Sequence, residues 1–514
     1  LRATRIGTAE ADRVVECPLR HTDYRVRISG LLARVTVTQV FVNPHPEPIE
    51  AVYVFPLPHR SAVDEMVLTV ADRRTEAVIM RRNEARTVYE AAISVGQTAA
   101  LLEQERPNIF TQSVGNIPPG GEVRVEIGFT DVSAVDGVTY ELALPLVVGP
   151  RYNPGQPVPG TAPVVAPEAR RGGGATDRVP DGDRINPPIL APGTRSGHEV
   201  AIAVELRAGV PIAALASPSH QVAITHSDAA TATVTLVPAD ALPNKDFVLR
   251  YQLGAAAPQV AVLAQADRTG GGHCLIFVQP ATLTEDLQDE RPQDLCFLID
   301  VSGSMSGEPT EIVRGALRAL LDHTRPGDRI QVIAFAGQAT PLFPDYRAAD
   351  AAAQEAALAF DQRGNAGGGT EMLAGVRAAL TDPPAGRVRT VIMLTDGFIG
   401  NEDEIIAEAD KRCHAALRLW VVGIGSSSNR HLVDGVAAVS GGRLAITAAV
   451  AAHRRPRNPP IRKPSVGGCR SPDDPPTRRS PCPAAGGRWS CRAPVCSPAR
   501  APNWGCQRKR RCRG

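Results

Sequence analysis

The chain has 514 residues, 43% of them hydrophobic and 21% charged, with a formal net charge of +2. That length implies several domains of about 100–200 residues each, and the apolar fraction supplies packed cores and excludes wholesale disorder. No apolar run approaches the ~18 residues that cross a bilayer, so no membrane segment is expected. The sequence begins at Leu1 with no charged-then-apolar leader and reads as a fragment whose export signal, if there is one, is missing. The total charge hides two opposed parts: residues 451–514 carry 16 Lys and Arg against 2 Asp and Glu, or +14, and the remainder carries −12.

From Tyr24 to about Val148 the sequence is a succession of short β segments. Val123, Val125, Ile127 and Phe129 alternate with Glu122, Arg124, Glu126 and Gly128, which predicts a strand with one buried and one wet face. Further strands are expected at 24–32, 34–42, 51–55, 63–71, 75–80, 98–103 and 109–114. One helix interrupts them at 83–95, where Asn83 can cap and Val88, Ala91 and Ala92 give a modest apolar stripe. Strands this short and numerous predict a β-sandwich. Glu103, Glu105 and Arg106 read either as charges that fix an edge or a partner face, or as a solvated surface with local ion pairs worth under about 1 kcal/mol each. The run from Asn83 to Ile127, and above all the words LLEQERPNIFTQSVGNIPPG, resembles the vault protein inter-alpha-trypsin (VIT) domain. We assign residues 1–135 to it.

Residues 136–197 read as a strand followed by a linker rich in Pro, Gly and Arg. The pair Asp181 and Asp183 lacks the later ligands of a calcium loop and is read as a turn. Alternation returns at 198–285, as in Val200, Ile202, Val204 and Leu206, and predicts a second β-rich module that connects the first domain to the next.

From 291 to 447 strands and helices alternate, which argues for a doubly wound parallel sheet covered on both faces. Strands are expected at 295–299, 329–335, 340–343, 388–394, 419–424 and 441–446, and helices at 309–323, 348–360, 372–380 and 402–417. The apolar run Leu295 to Ile299 delivers Asp300, Ser302 and Ser304 to a strand end. Thr370 opens a helix after Gly367, Gly368 and Gly369, and Asp396 ends the apolar strand in the string LTDG. Ligands of open α/β sheets collect outside the carboxyl ends of the strands, so these segments can meet. Oxygen donors with so little formal charge suit a hard divalent cation and leave it short of neutralisation. Any single D-x-S-x-S string also serves as a turn and helix-capping arrangement.

The set Asp300, Ser302, Ser304, Thr370 and Asp396 resembles the metal-ion-dependent adhesion site of the von Willebrand factor type A (vWA) family. The words SGSMSGEP, AGGGTEM, LTDGFIGNEDEI and VGIGSSSNRHLVDGVA match A domains that accompany VIT domains in bacterial and inter-alpha-trypsin inhibitor heavy-chain-like proteins. The resemblance implies Mg²⁺, or Mn²⁺ or Ca²⁺, held by the two serines and the threonine, with the aspartates acting largely through water and a ligand's carboxylate completing the shell. It also implies an extracellular or cell-surface place.

Residues 448–514 break the pattern: Pro456, Pro459, Pro460 and Pro464 forbid the family's final helix, and six of the ten cysteines lie there without a C-x₂-C pair. We read this as an irregular, disordered basic tail or an alternative reading frame, ahead of a nucleic-acid arm or a zinc knuckle. Without its last helix the A domain is expected to bind without switching and to expose an apolar groove. Among the remaining cysteines, Cys274 and Cys296 lie in apolar runs and read as core.

The fold expected is thus multidomain α+β: a β-sandwich, a β-rich connector, an α/β doubly wound parallel sheet and an irregular tail. The function expected is non-enzymatic, divalent-cation-dependent capture of a protein or matrix ligand that offers a carboxylate, with no nucleic acid involved. A scaffold with a vestigial metal site is the alternative. A serine hydrolase is a weaker one, since neither Ser302 nor Ser304 sits in a G-x-S-x-G elbow and no histidine lies in a neighbouring motif.

Overall fold

The computed structural model describes residues 2–5, 14–15, 19–136, 138–159, 174–186, 197–253, 259–266, 271–279, 291–360, 369–440 and 444–447. The tail expected at 448–514, with the segment in which the family's final helix would fall, lies outside the described residues.

The N-terminal half is β-rich, as its alternation predicts. Val123, Val125, Ile127 and Phe129 are fully buried on strand Glu122–Val132, while Glu122 and Arg124 face water. Burying each such side chain stabilises by roughly 1.5–3 kcal/mol, which makes this strand a major anchor of the core. One eight-stranded sheet runs in the order Val222–His226, Thr231–Leu236, Glu199–Arg207, Leu19–Ser29, Leu32–Val42, Glu122–Val132, Ala62–Val70, Arg73–Glu76. Three of the strands expected of a separate connector therefore extend the first sheet, while Ile212–Ala216 and Phe247–Leu253 join a four-stranded sheet with Ala134–Asp136 and Thr139–Leu144. Glu199–Arg207 lies parallel to Leu19–Ser29, with Val204 opposite Val26, and their side chains share one hydrophobic core. The reason is that Tyr24, Val26 and Ile28 present the same period-two face as Val200, Ile202, Val204 and Leu206, so the two patterns bury together.

A second sheet, Val14–Val15, Arg2–Arg5, Ile49–Pro56, Ile109–Ile117, Ala99–Arg106, contributes Ile49, Phe55, Phe110, Val114 and Ile117 to that core. The helix is Arg82–Ser94, with Arg81 rather than Asn83 at its N-cap and no side-chain cap bond. The strand expected at 75–80 stops at Glu76, and Val78, Ile79 and Met80 are exposed.

Residues 291–447 form the doubly wound sheet. Its order is Ala339–Pro341, Arg329–Phe335, Gln293–Asp300, Val388–Thr395, Leu417–Ile424, Leu444–Thr447, parallel except at the edge, where Ala339–Pro341 and the two-residue strand Arg347–Ala348 both run antiparallel to Arg329–Phe335. The central strand Gln293–Asp300 is apolar on both faces because each face meets a different core. Cys296 and Leu298 pack with helices Met372–Ala379, Glu402–Arg412 and Arg430–Ser440; Phe297 and Ile299 pack with Glu308–Leu321 and Ala351–Ala359. The helix expected at 402–417 ends at Arg412, where Cys413 turns extended and His414 closes a tight turn onto Leu417. Cys296 is buried as expected, but Cys274 is exposed. It lies on the hairpin Gln259–Ala266/Gly272–Gln279, a two-stranded sheet that turns Val260, Val262, Ile276 and Val278 to the outside.

The Pro/Gly-rich stretch is not a free tether where it is described. Val179 and Ile185 are fully buried against Ile109, and Arg151 and Asn153 are buried as well. Asp181 does sit at a turn, just before the short helix Gly182–Ile185. Its carboxylate also accepts hydrogen bonds from Nε and Nη2 of Arg106, at 2.6 and 2.7 Å. Arg106 in turn lies 3.5 Å from the fully buried Glu402, which pairs with Arg151. Glu103 and Glu105 are buried too, held by Arg82, Arg86 and Arg184. These charges pair with other segments of the chain instead of forming a solvated surface. Among the described residues, no helix is long and apolar enough to cross a membrane.

Candidate metal centre

Strand Gln293–Asp300 carries Asp300 to its C-terminal end, where the carboxylate is 1% exposed. One oxygen, Oδ1, accepts the backbone N–H of Ser302 at 3.0 Å. The other, Oδ2, accepts the hydroxyl of Thr395 at 2.6 Å. Ser302, in extended conformation, precedes the 3₁₀ turn Gly303–Met305, which folds Ser304 back so that the two serine hydroxyls lie 3.2 Å apart. The Ser304 side chain lies near enough to Asp396 to favour its ionised form, and Asp396 Oδ1 accepts the N–H of Phe398 at 3.1 Å. The parallel register of the two central strands, Ile299 opposite Leu394, brings both aspartates to the same edge.

Thr370 reaches this edge by a different route. The backbone N–H of Glu371 donates to Ala336 O at 2.7 Å, just past strand Arg329–Phe335, and that strand pairs with the Asp300 strand, Phe335 opposite Asp300. Thr370 is buried, at 7% exposure, but the hydrogen-bond chain through Asp300, Ser302 and Ser304 does not extend to it. Reading the sequence missed Thr395. Its signal was the residue before Asp396 in LTDG, which the register must set beside Asp300; its hydroxyl also accepts the N–H of Gly397 at 2.9 Å.

The electrostatics of the site are unusual for a fold interior. Burial and then the negative field of Asp396 push Asp300 up to about 7, and burial raises Asp396 as well. The hydrogen-bond partners of both carboxylates are hydroxyl and backbone N–H groups, with no Lys or Arg among them. Two carboxylates and a serine pair, with no nitrogen or sulfur donor, fit a hard divalent cation, whose charge supplies what the protein leaves out. Among the described residues no three His, Cys, Asp or Glu side chains gather into a metal cluster of their own kind. This set draws half of its donors from hydroxyls. Neither Ser302 nor Ser304 hydrogen-bonds to a histidine.

Comparison with known proteins agrees with this architecture. The profile of the vault protein inter-alpha-trypsin domain matches residues 19–129, and that of the von Willebrand factor type A domain matches residues 293–446. Protein mono-ADP-ribosyltransferase PARP4 of Homo sapiens is 25% identical over 421 residues, 81% of this chain and 23% of the relative. Von Willebrand factor A domain-containing protein 5A of Homo sapiens is 26% identical over 449 residues, 83% of this chain and 54% of the relative. The chain thus spans about a quarter to about half of these curated relatives. Among solved structures, a von Willebrand factor type A protein from Catenulispora acidiphila is 20% identical, with 38% of this chain and 43% of that one covered and a TM-score of 0.28. Proximal thread matrix protein 1 from the mussel byssus, with a zinc-occupied MIDAS motif, is 20% identical, with 31% and 42% covered and a TM-score of 0.26. Domains of the vWA type are mostly non-enzymatic interaction modules and often bind a divalent metal. Sequence, sheet order and profile matches agree that this chain joins a vault protein inter-alpha-trypsin domain to a von Willebrand factor type A domain.

Proposed function

We propose that the chain is a non-enzymatic binding protein that captures an acidic group of a protein or matrix ligand in a divalent-cation-dependent way. The observation that carries this reading is the hydrogen-bond chain Thr395, Asp300, Ser302, Ser304 with Asp396 beside Ser304, two buried carboxylates surrounded by hydroxyls and backbone N–H groups. A bound Mg²⁺ or Mn²⁺ supplies the positive charge this set lacks and a point of attachment for a ligand carboxylate. Asp300 and Asp396 supply the negative field, Ser302 and Ser304 orient hydroxyl oxygens toward it, and Thr395 locks Asp300 in place from the neighbouring strand. Thr370 belongs to the set by its place at the same sheet edge. The β-rich half is a second interaction surface, and the family resemblance favours a cell-surface or extracellular setting.

The test is thermal melting of the full chain in EDTA and in excess Mg²⁺ or Mn²⁺. Binding to the native state alone raises the midpoint, by about 2.7 kcal/mol of stabilisation at a hundredfold excess over the dissociation constant. Asp300→Ala is expected to abolish that rise, and capture of ligand from the native cell surface is expected to be lost in EDTA. A rise that persists in Asp300→Ala overturns the assignment.

A further inference from the structure

Tyr152, in the stretch read as a linker, touches both loops that bring the second half of the candidate centre. Its backbone forms a short parallel bridge with Ile399: Tyr152 N–H donates to Phe398 O and Gly400 N–H donates to Tyr152 O, both at 2.9 Å. That grips the segment immediately after Asp396. Its hydroxyl donates to Glu371 Oε1 at 3.1 Å, one residue after Thr370. Its ring packs so tightly on Gly369 that a Cβ built there would lie 2.0 Å from the ring carbon bearing the hydroxyl.

The flanking residues tighten both grips. Arg151 pairs with the fully buried Glu402 and donates to Ile399 O, while Arg178 lies 3.7 Å from Glu371 and also bonds Glu404. Asn429 donates to both Gly397 O and Glu402, and its own N–H donates to Asp396 O at 2.9 Å. The Asp396 loop is therefore held at its backbone from two sides. One residue, Tyr152, joins it through its backbone to the Thr370 loop through its side chain.

We infer that Tyr152 is a positioning residue of the cation centre, a strut that sets the separation of the Thr370 and Asp396 loops, so that cation affinity depends on a segment outside the A domain. The inference rests on the cation reading above. It has a reciprocal consequence: if the docked strut raises cation affinity, the cation must tighten the docking by the same factor. Tyr152→Phe removes only the hydroxyl that reaches Glu371 and keeps the ring and the backbone bridge. Tyr152→Ala removes the strut but leaves the bridge.

The experiment is calorimetric titration of the full chain with Mn²⁺, together with the melting midpoint in EDTA and amide hydrogen exchange. Tyr152→Phe is expected to weaken Mn²⁺ binding about fivefold, the worth of one hydrogen bond, with the cation-free melting midpoint little changed. Tyr152→Ala is expected to weaken it more. In the unaltered chain Mn²⁺ is expected to slow exchange of the Tyr152 and Gly400 amides, and in Asp300→Ala to leave them unchanged. If Tyr152→Phe binds Mn²⁺ as tightly as the unaltered chain and exchange at these amides ignores the cation, the strut role is overturned while the cation reading stands. If the unaltered chain binds no Mn²⁺, both fall together. Should Tyr152→Ala not fold, Tyr152→Phe and the exchange measurement decide.

Discussion

The two ends of strand Gln293–Asp300 each bury an aspartate, and they treat it in opposite ways. At the start, Asp294 is fully buried and meets Arg329, Arg387 and Arg389, with Arg329 and Arg387 at 2.7 and 2.6 Å. Burial pushes this carboxyl up, but the three guanidinium groups more than offset that and hold it below the usual carboxylate range. At the finish, Asp300 is equally buried and meets hydroxyls, a backbone N–H and a second carboxylate, and it rises to about 7. A buried charge that the protein neutralises is part of the scaffold. One that it leaves without a cationic partner takes up a proton more readily or, on the reading proposed above, an outside cation.

The scaffold end is expected to respond most strongly to substitution. Asp294→Ala leaves three guanidinium groups facing a gap and is expected to cost about 3–5 kcal/mol, read as a large fall in the denaturation midpoint. The same substitution at the other end, Asp300→Ala, is expected to cost far less in EDTA, because it relieves repulsion with Asp396. Its deficit appears only when Mn²⁺ is added to both proteins. Equal losses at the two ends in EDTA would erase the distinction.

A third buried carboxyl lies between these extremes. Asp246 is pushed up to about 7 by burial, against the pull of Arg430 and of the Leu146 and Val147 N–H groups. Because its folded pKa lies above its unfolded value, the native state holds the proton more tightly. Its contribution to stability is therefore most favourable below about pH 4 and is lost as pH rises through about 7. Asp246→Asn is expected to flatten the pH dependence of the melting midpoint between pH 5 and 8 on the order of 1–2 kcal/mol. The smallest effect is expected at the surface, where Arg34 pairs with Asp64 and Glu65 while 38% exposed. Arg34→Ala should cost under about 1 kcal/mol, less at high salt.

Much of the fold was legible because it is written locally. The alternation at 122–129 and the all-apolar run before Asp300 each identify their strand and its degree of burial without reference to any other segment. Three of the five proposed site residues come together in one hydrogen-bond chain, Asp396 lies beside Ser304, and Thr370 is buried at the same edge. What local pattern did not carry was pairing. Nothing in Leu19–Ser29 announces that Glu199–Arg207 will lie beside it in parallel, and so the connector looked like a module of its own. Cys274 looked like core because its strand is apolar, and only the one-sided packing of its hairpin turns that face outward.

Arg106 and Glu402 make the same point with charge. Each sits in a polar stretch where a solvated role is the ordinary expectation, yet the folded chain buries Glu402 completely and surrounds it with Arg151, Arg106 and Asn429. Sequence alone determined the kinds of element, their order and the oxygen chemistry at one strand end, since periodicity and short-range spacing need only neighbouring residues. The tertiary structure alone decided which strands share a sheet, that Thr395 locks Asp300, and that a Pro/Gly-rich stretch grips the loops of the site. Those outcomes depend on register and on desolvation between segments hundreds of residues apart, and no local pattern encodes either.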